Sequence, residues 1–422
     1  MKILISSDMY RHQVNGVSSS VILLTDELRK LGHEVKVLAL SDSNTSYRDG
    51  DDYYIASLNA RIYPDARVTF SIRNPLLREL TAWRPDIAHI QTEFSTRTLA
   101  KHIVGKLGIP FVMTLHTDYE EYIRTHSPLP IPAPTTRLTA ALNPTRQLTA
   151  FFDRTMYRGA STLIVPSYKI KALARTYHVR CPISVIPTGI DPERYPIRPE
   201  EAAETRRSLG LPENGKLLVT VTRVSKEKNI EELIEYFPAL READSEVRFL
   251  IVGDGPQRQQ LEETVRAKGL SDKIIFTGMV PHDQVYRYYQ AGDLFVCAST
   301  FETQGMTYVE ALANGLPLVC RQDKCLLDVI EPGDNGYTYT DCEEFVRWTR
   351  KILSDPQRRK RMAAFSLEQS KRFYKDVFVH SVEALYQDIL NKHIGLSEPL
   401  EPDDPEVLVD TEESAEEVTA QK

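Results

Sequence analysis

The sequence predicts an α/β protein built from two doubly wound domains that face a central cleft. Three observations predict it. At 422 residues the chain exceeds what one ordinary core organises. Short apolar runs alternate with segments of helical period from the first residues onward. That alternation halts in a stretch rich in Pro, Glu and Arg, residues 191–212, and then starts afresh.

The first series opens with the apolar run Lys2–Ser6. A helical stretch, Val17–Leu31, follows with Val21, Leu24, Leu28 and Leu31 on one face, and Gly32 ends it. Val35–Leu40, Asp86–Gln91, Phe111–Leu115, Ser161–Pro166 and Ile183–Ile186 are the further strands expected in a domain spanning 1–190. After the linker 191–212, a domain over 213–370 is expected from the strands Lys216–Val221, Phe249–Val252, Ile274–Phe276, Leu294–Cys297 and Leu318–Cys320. Its helices include Ile230–Leu240, Pro256–Lys268 and Asp283–Gln290. A long helical pattern over 371–395 is expected to return to the first domain. The acidic, aromatic-poor segment 396–422 is expected to be a disordered tail.

Composition narrows the function classes. A hydrophobic content of 41% with 26% charged residues describes a water-soluble chain, and no apolar run reaches the ~18–20 residues of a membrane span. The run at Met1–Ser6 is too short for a signal peptide, so a cytoplasmic location is expected. Cys181, Cys297, Cys320, Cys325 and Cys342 show no zinc-ligand spacing and are expected to be reduced structural thiols. The net charge of −7 is unevenly spread. Residues 1–190 hold 23 Lys and Arg against 16 Asp and Glu; residues 397–422 hold 1 against 10. A basic front half suits an anionic surface. Nucleic acid is not expected, because no dense basic stripe with interleaved aromatics occurs.

The candidate site gathers at strand-to-helix junctions. After Leu294–Cys297 the chain runs Phe301-Glu302-Thr303-Gln304-Gly305-Met306-Thr307 and then reaches Glu310. Free amides at that helix start favour an anion such as a phosphate, and the two glutamates could hold hydroxyls on either side. The plain alternative is two solvated helix acids. Arg223 and Lys228, between strand Lys216–Val221 and a helix that Asn229 could cap, can neutralise a diphosphate, or simply form a charged turn. Gly16 opens the first helix and would allow a phosphate to approach closely, though Asn15-Gly16 alone is mostly a turn. Gly253-Asp254-Gly255-Pro256 is a strand-end turn of the same kind. His116 closes the strand Phe111–Leu115 at its carboxyl end, where ligands of open α/β sheets bind. Asp49-Gly50-Asp51 has the D-x-D form of a divalent-cation site, but it lies in the polar run Ser41–Asp52 and is expected to be loop.

The combination Arg223…Glu227-Lys228-Asn229, Gly253-Asp254-Gly255 and Glu302-x7-Glu310 resembles the retaining family 4 glycosyltransferases with the GT-B fold, two Rossmann-like domains, over about residues 1–395. Gln91-Thr92-Glu93-Phe94-Ser95, Leu115-His116-Thr117-Asp118-Tyr119-Glu120-Glu121-Tyr122 and Glu302–Tyr308 are similar to the bacterial diacylglycerol glucosyltransferases. The resemblance implies that Arg223 and Lys228 bind the nucleotide diphosphate and that Glu310 holds the ribose. It implies that Glu302 contacts donor-sugar hydroxyls, with the amides of Gln304, Gly305, Met306 and Thr307 near sugar and phosphate. Gly278-Met279-Val280 would meet the base, Gly16 the diphosphate and His116 the sugar. Where the family often has paired glycines, this chain has Asn15-Gly16. The implied reaction moves glucose from UDP-glucose to diacylglycerol with retention, by front-face attack, with no cofactor and no metal. The partners implied are the nucleotide sugar, the lipid acceptor and the inner face of the cell membrane, on which the chain would be peripheral. Another sugar or acceptor on the same fold, or a non-catalytic nucleotide-sugar binder, is the alternative. The intact set of Arg223, Lys228, Glu302, Glu310 and His116 speaks against the binder.

Two segments could meet a membrane. Asn74–Arg84 carries Leu76, Leu77, Leu80 and Trp83 on one stripe, which could equally pack on its own sheet. Residues 122–160 intersperse Arg124, Arg137, Arg146, Arg154 and Arg158 with Leu129, Ile131, Leu138, Phe151 and Phe152.

Overall fold

Two parallel sheets carry the chain. The computed structural model describes residues 1–397 apart from 14, 60–66, 70, 121–154, 213–214 and 300. The first sheet orders its strands β10-β9-β8-β7-β1-β2-β4-β3. These are β1 (Lys2–Ser7), β2 (Glu34–Leu40), β3 (Tyr47–Asp49), β4 (Asp52–Ile55), β7 (Ile87–Ile90), β8 (Phe111–Thr114), β9 (Thr162–Val165) and β10 (Ile183–Val185). A separate ribbon pairs β5 (Leu58–Asn59) with β6 (Arg67–Val68). All pairings in the eight-stranded sheet are parallel except β3 against β4. Helices α1 (Gly16–Lys30), α2 (Pro75–Trp83), α3 (Ser95–Leu107) and α4 (Tyr168–Thr176) make the crossovers.

The second sheet orders β13-β12-β11-β14-β15-β16, all parallel. It comprises β11 (Lys216–Val221), β12 (Val247–Val252), β13 (Ile274–Gly278), β14 (Leu294–Cys297), β15 (Leu318–Arg321) and β16 (Gly336–Tyr339). Around it lie α5 (Pro199–Ser208), α6 (Ile230–Ala243), α7 (Arg258–Ala267), α8 (Val285–Ala291), α9 (Met306–Ala313), α10 (Cys342–Leu353) and α11 (Pro356–Ser370). Helices cover both faces of each sheet, so its central strands are apolar throughout. In a parallel sheet every strand also delivers its carboxyl end to one edge, and both candidate-site halves grow from those edges.

The linker stretch 191–212 contains a helix, Pro199–Ser208, with Pro199 in the first turn, Glu200 and Glu201 beside it, and Arg206 and Arg207 in the last. Buried Arg206 fastens this helix to the second half, donating to the Ala291 and Gly215 carbonyls and pairing with Asp293 at 2.6 Å. The polar run Ser41–Asp52 includes β3 and the start of β4, with Gly50 between them at φ 58°. Asp49-Gly50-Asp51, expected to be loop, instead ends β3 at Asp49 and turns through Gly50 and Asp51 into the start of β4, not at the carboxyl edge. On α2, Leu77 and Leu80 are buried, and Leu76 and Trp83 pack against the same cluster. That stripe belongs to the core. The basic–apolar segment 122–160 lies outside the described residues up to 154, as does the tail from 398.

Helix α12 (Lys375–Ser397) lies on the first sheet. Phe378, Val379, Val382, Tyr386 and Ile389 share a core with Ile3, Ile5, Val21, Leu24 and Val37. The chain reaches it beside Ile190, whose amide donates to Phe373 O and whose carbonyl accepts from the Lys375 amide, both at 2.8 Å. Gly189 makes this crossing possible, since a Cβ there would lie 2.8 Å from Phe378 Cβ and 2.9 Å from Lys375 Cα. Gly189→Ala is expected to cost about 1–3 kcal/mol through overpacking and to loosen the docking of α12. Hydrogen exchange across 375–397 should accelerate, and unchanged protection there would refute the assignment.

Candidate functional site

In the second half, two strand ends meet around one ion pair. Beyond β11, the Thr222–Val224 backbone is pressed against the turn after β12. A Cβ on Gly253 would lie 2.0 Å from Thr222 O, and one on Gly255 2.3 Å from Val224 O, so no other residue fits. This contact sets the path of Arg223, which is exposed, and of the turn Lys226–Lys228. Asn229 follows in the left-handed region at φ 49°. Its side chain does not cap α6 as expected but donates to Glu232 at 3.0 Å. Lys228 Nζ meets Glu302 Oε1, beyond β14, at 2.5 Å. Burial opposes the charge on Lys228, yet the Glu302 carboxylate outweighs it and holds the ammonium pKa above its usual value.

From Glu302 the chain turns into α9. Gly305 adopts φ 77° before the helix, and a Cβ there would strike the Tyr308 ring at 2.3 Å. The amides of Met306 and Thr307 open the helix, where no intrahelical acceptor exists for them. The Gln304 side chain points elsewhere: its oxygen accepts from Thr188 N at 2.8 Å and its amide donates to Thr188 O at 2.9 Å, across to the first half. Glu310 lies one turn on, its carboxylate faced by the hydroxyls of Tyr289, at 2.8 Å, and of Tyr195. Burial raises its pKa; the Tyr289 bond, His282 and the Tyr195 bond oppose the rise. Gly278 ends β13 at φ 75°, followed by exposed Met279 and by Val280, which packs on the core.

In the first half, Gly16 starts α1 beyond β1. Asn15 caps that helix, accepting from the Ser18 amide at 2.9 Å, and a Cβ on Gly16 would meet open space. Asn15 thus supplies a cap where a glycine would supply none. His116, beyond β8, donates through Nε2 to Gln91 Oε1 at 2.8 Å. Gln91 in turn reaches His89, which also bonds Thr114 at 2.7 Å and Tyr386 of α12 at 2.5 Å. Burial pushes His116 down to about 4, and burial with His116 nearby pushes His89 to about 3, so both rings are neutral near pH 7. Glu93, two residues past Gln91, accepts from Tyr119 at 2.5 Å and Tyr157 at 3.0 Å.

The two carboxyl edges face each other. Ser167 Oγ donates to Thr303 O, and Lys169 Nζ to Glu302 O. Lys228 and Glu302 are in direct contact, Arg223 lies on the same β11 junction, and Glu310 lies on the helix that the Glu302 loop opens. His116 and Gly16 stand on the opposite edge. The sequence reading missed Tyr195 and Tyr289 around Glu310, Gln91 behind His116, and Lys169. Of these, Gln91 carried a signal, as the polar end of an apolar strand.

The family described as Glycosyltransferase Family 4 matches residues 14–194, and that described as Glycosyl transferases group 1 matches 201–368. The chain is 31% identical to the alpha-monoglucosyldiacylglycerol synthase of Acholeplasma laidlawii over 93% of this chain and 98% of the relative. It is 32% identical to the Streptococcus pneumoniae protein of the same name over 80% and 75%. Among solved structures, Anabaena HepE in complex with UDP superposes with a TM-score of 0.71 at 18% identity, covering 92% of this chain and all of that one.

Glu93 yields a pH prediction. Burial raises its carboxyl from the ordinary 4.5 to about 7, so the folded chain holds this proton more tightly than the unfolded chain. The resulting stability is full below pH 4.5 and is lost as pH rises through 7. Glu93→Gln lacks this loss. From pH 5 to pH 8 its urea stability should gain on wild type by up to ~3 kcal/mol; a gap independent of pH would refute the shift.

Proposed function

The chain belongs to the family 4 glycosyltransferases with the GT-B fold, and we propose that it transfers glucose from UDP-glucose to diacylglycerol with retention of configuration. The observation that carries the chemistry is the Lys228–Glu302 pair at neighbouring strand ends of the second sheet. The acceptor class rests on likeness, over most of both chains, to the two diacylglycerol-glucosylating relatives. UDP as the nucleotide is supported by the ligand of the HepE structure.

In this reading Arg223 and Lys228 stabilise the negative charge that collects on the diphosphate as the sugar leaves. The amides opening α9 add their dipoles on the same side. Glu302 accepts hydrogen bonds from sugar hydroxyls while its charge keeps Lys228 protonated. Glu310, among its phenols, holds the ribose diol. Gly278-Met279-Val280 meets the base through its backbone, and Gly16 leaves room for the diphosphate on the opposite edge. Neutral His116, with Nε2–H directed at Gln91, offers Nδ1 as an acceptor towards the sugar.

The step balances without a covalent enzyme intermediate. The bond from the anomeric carbon to the phosphate oxygen breaks, its electrons passing to the diphosphate. The acceptor hydroxyl oxygen bonds to the same face of that carbon, and its proton passes to the departing oxygen. Among the described residues, no helix is long and apolar enough to cross a membrane. For an acceptor in the bilayer, the proposed reading has the chain dock peripherally on the inner face of the cell membrane.

Glu302→Ala tests the reading. With labelled UDP-glucose and anionic vesicles containing diacylglycerol, wild type should label the lipid, and the variant should lose about 100-fold or more in kcat. UDP calorimetry serves as the folding control. Donor turnover without labelled lipid would remove diacylglycerol as acceptor, and undiminished labelling by Glu302→Ala would overturn the site.

A further inference from the structure

Residues 302, 303 and 304 are each gripped from the first half. Gln304 exchanges two hydrogen bonds with the Thr188 backbone, and Ser167 Oγ donates to Thr303 O at 2.5 Å. Lys169 Nζ donates to the Glu302 carbonyl at 2.9 Å. Of these three side chains, Lys169 alone brings a charge. Its ammonium also pairs at 2.7 Å with Asp323, whose side chain is 8% exposed. Asp323 stands just past β15, fixed there by accepting from the Cys325 amide at 2.8 Å. One ammonium therefore joins three strand ends: that of β9, which leads into its own helix α4, and those of β14 and β15 across the cleft.

We propose that Lys169 is a positioning residue for sugar transfer: it registers closure of the two halves by clamping the Glu302 peptide against Asp323, and so aims the Glu302 carboxylate. This rests on the role given to Glu302 above. The bonds exist only while the halves are together, because Lys169 belongs to one half and both of its partners to the other. Separation would return the ammonium and the Asp323 carboxylate to water. A charge-assisted bond to the Glu302 carbonyl fixes the peptide from which the carboxylate springs. The side chains assigned to hold the nucleotide, Arg223, Lys228 and Glu310, all lie in the second half; the first half offers the diphosphate only the space at Gly16. Lys169 should therefore govern the chemical step while leaving nucleotide binding alone.

The experiment compares Lys169→Met, Lys169→Arg and the double variant Lys169→Met/Asp323→Leu, which leaves no carboxylate stranded if the single change folds poorly. The readouts are kcat at saturating diacylglycerol and the Kd of UDP by calorimetry. Lys169→Met and the double variant should lose about 10- to 100-fold in kcat, as displaced catalytic groups do, with UDP affinity within about threefold of wild type (roughly 0.6 kcal/mol). Lys169→Arg, which keeps the charge and the reach, should recover most of the rate. A folded double variant with kcat within about twofold of wild type, or a loss of rate matched by an equal loss of UDP affinity, would overturn the proposal. Glu302→Ala run alongside separates the two readings. If it retains turnover, the site assignment fails; if it is inactive while the Lys169 variants are not, only the role of Lys169 fails.

Discussion

Everything at the cleft depends on the two crossings that hold one parallel sheet's carboxyl edge opposite the other's. The chain leaves the first half at Thr188–Asp191 and returns at Phe373–Lys375, and there the two passages bond to each other through Ile190. Lys375 reinforces the junction, its ammonium 2.9 Å from Asp191 and 3.7 Å from Glu27 of α1. The Gly189 backbone must lie within van der Waals contact of α12 for this to happen. Because α12 then buries its apolar side in the first half, the last of the described helices is shared property. Neither half can be redrawn without disturbing the other.

On that frame, two carboxylates eight residues apart acquire opposite surroundings. Glu302 sits against the Lys228 ammonium, and its carboxylate favours the charged state of that lysine. Glu310 sits among phenols, and burial makes its ionisation costly. A charged group beside a cation suits exchange with hydroxyls of a transient sugar. A carboxylate held by neutral donors suits a diol that binds and leaves unchanged. The separation arises because the chain turns at Gly305 between them: the left-handed residue lets the loop face the cleft while the helix runs back against α8.

The strands were legible because buried parallel strands are continuous apolar runs; Leu294–Cys297 is found where the sequence places it. The glycine-rich turns were legible for a related reason, since Gly253 and Gly255 mark a close backbone approach that no side chain permits. Helix α5 was not, because its Pro199, Glu200 and Arg207 are common to linkers and to helix ends alike. Nor were the partners of the site residues. Gln304 spends its amide on Thr188, 116 residues away, and Lys169 reaches Glu302 across 133. No local period encodes such pairs; they follow from the facing of the two edges. Asn229 shows the converse, a residue of good capping chemistry whose left-handed backbone turns its side chain to Glu232 instead.

The fate of the Leu76–Trp83 stripe bears on how a lipid could be reached. An amphipathic helix in a doubly wound fold has a sheet beside it from the moment it forms, and burying Leu77 and Leu80 there removes them from competition for a bilayer. Trp83 is likewise engaged, its indole donating to Glu34 and its ring under Lys36. Attraction to an anionic surface then falls to charge rather than to this helix. The charge is partitioned in the required sense, with the excess of Lys and Arg in residues 1–190 and the excess of Asp and Glu beyond. An anionic surface would pull on the first half and repel the tail. Under the proposed function it would favour the orientation in which the half bearing His116 meets the membrane and the half bearing Glu302 stays in water.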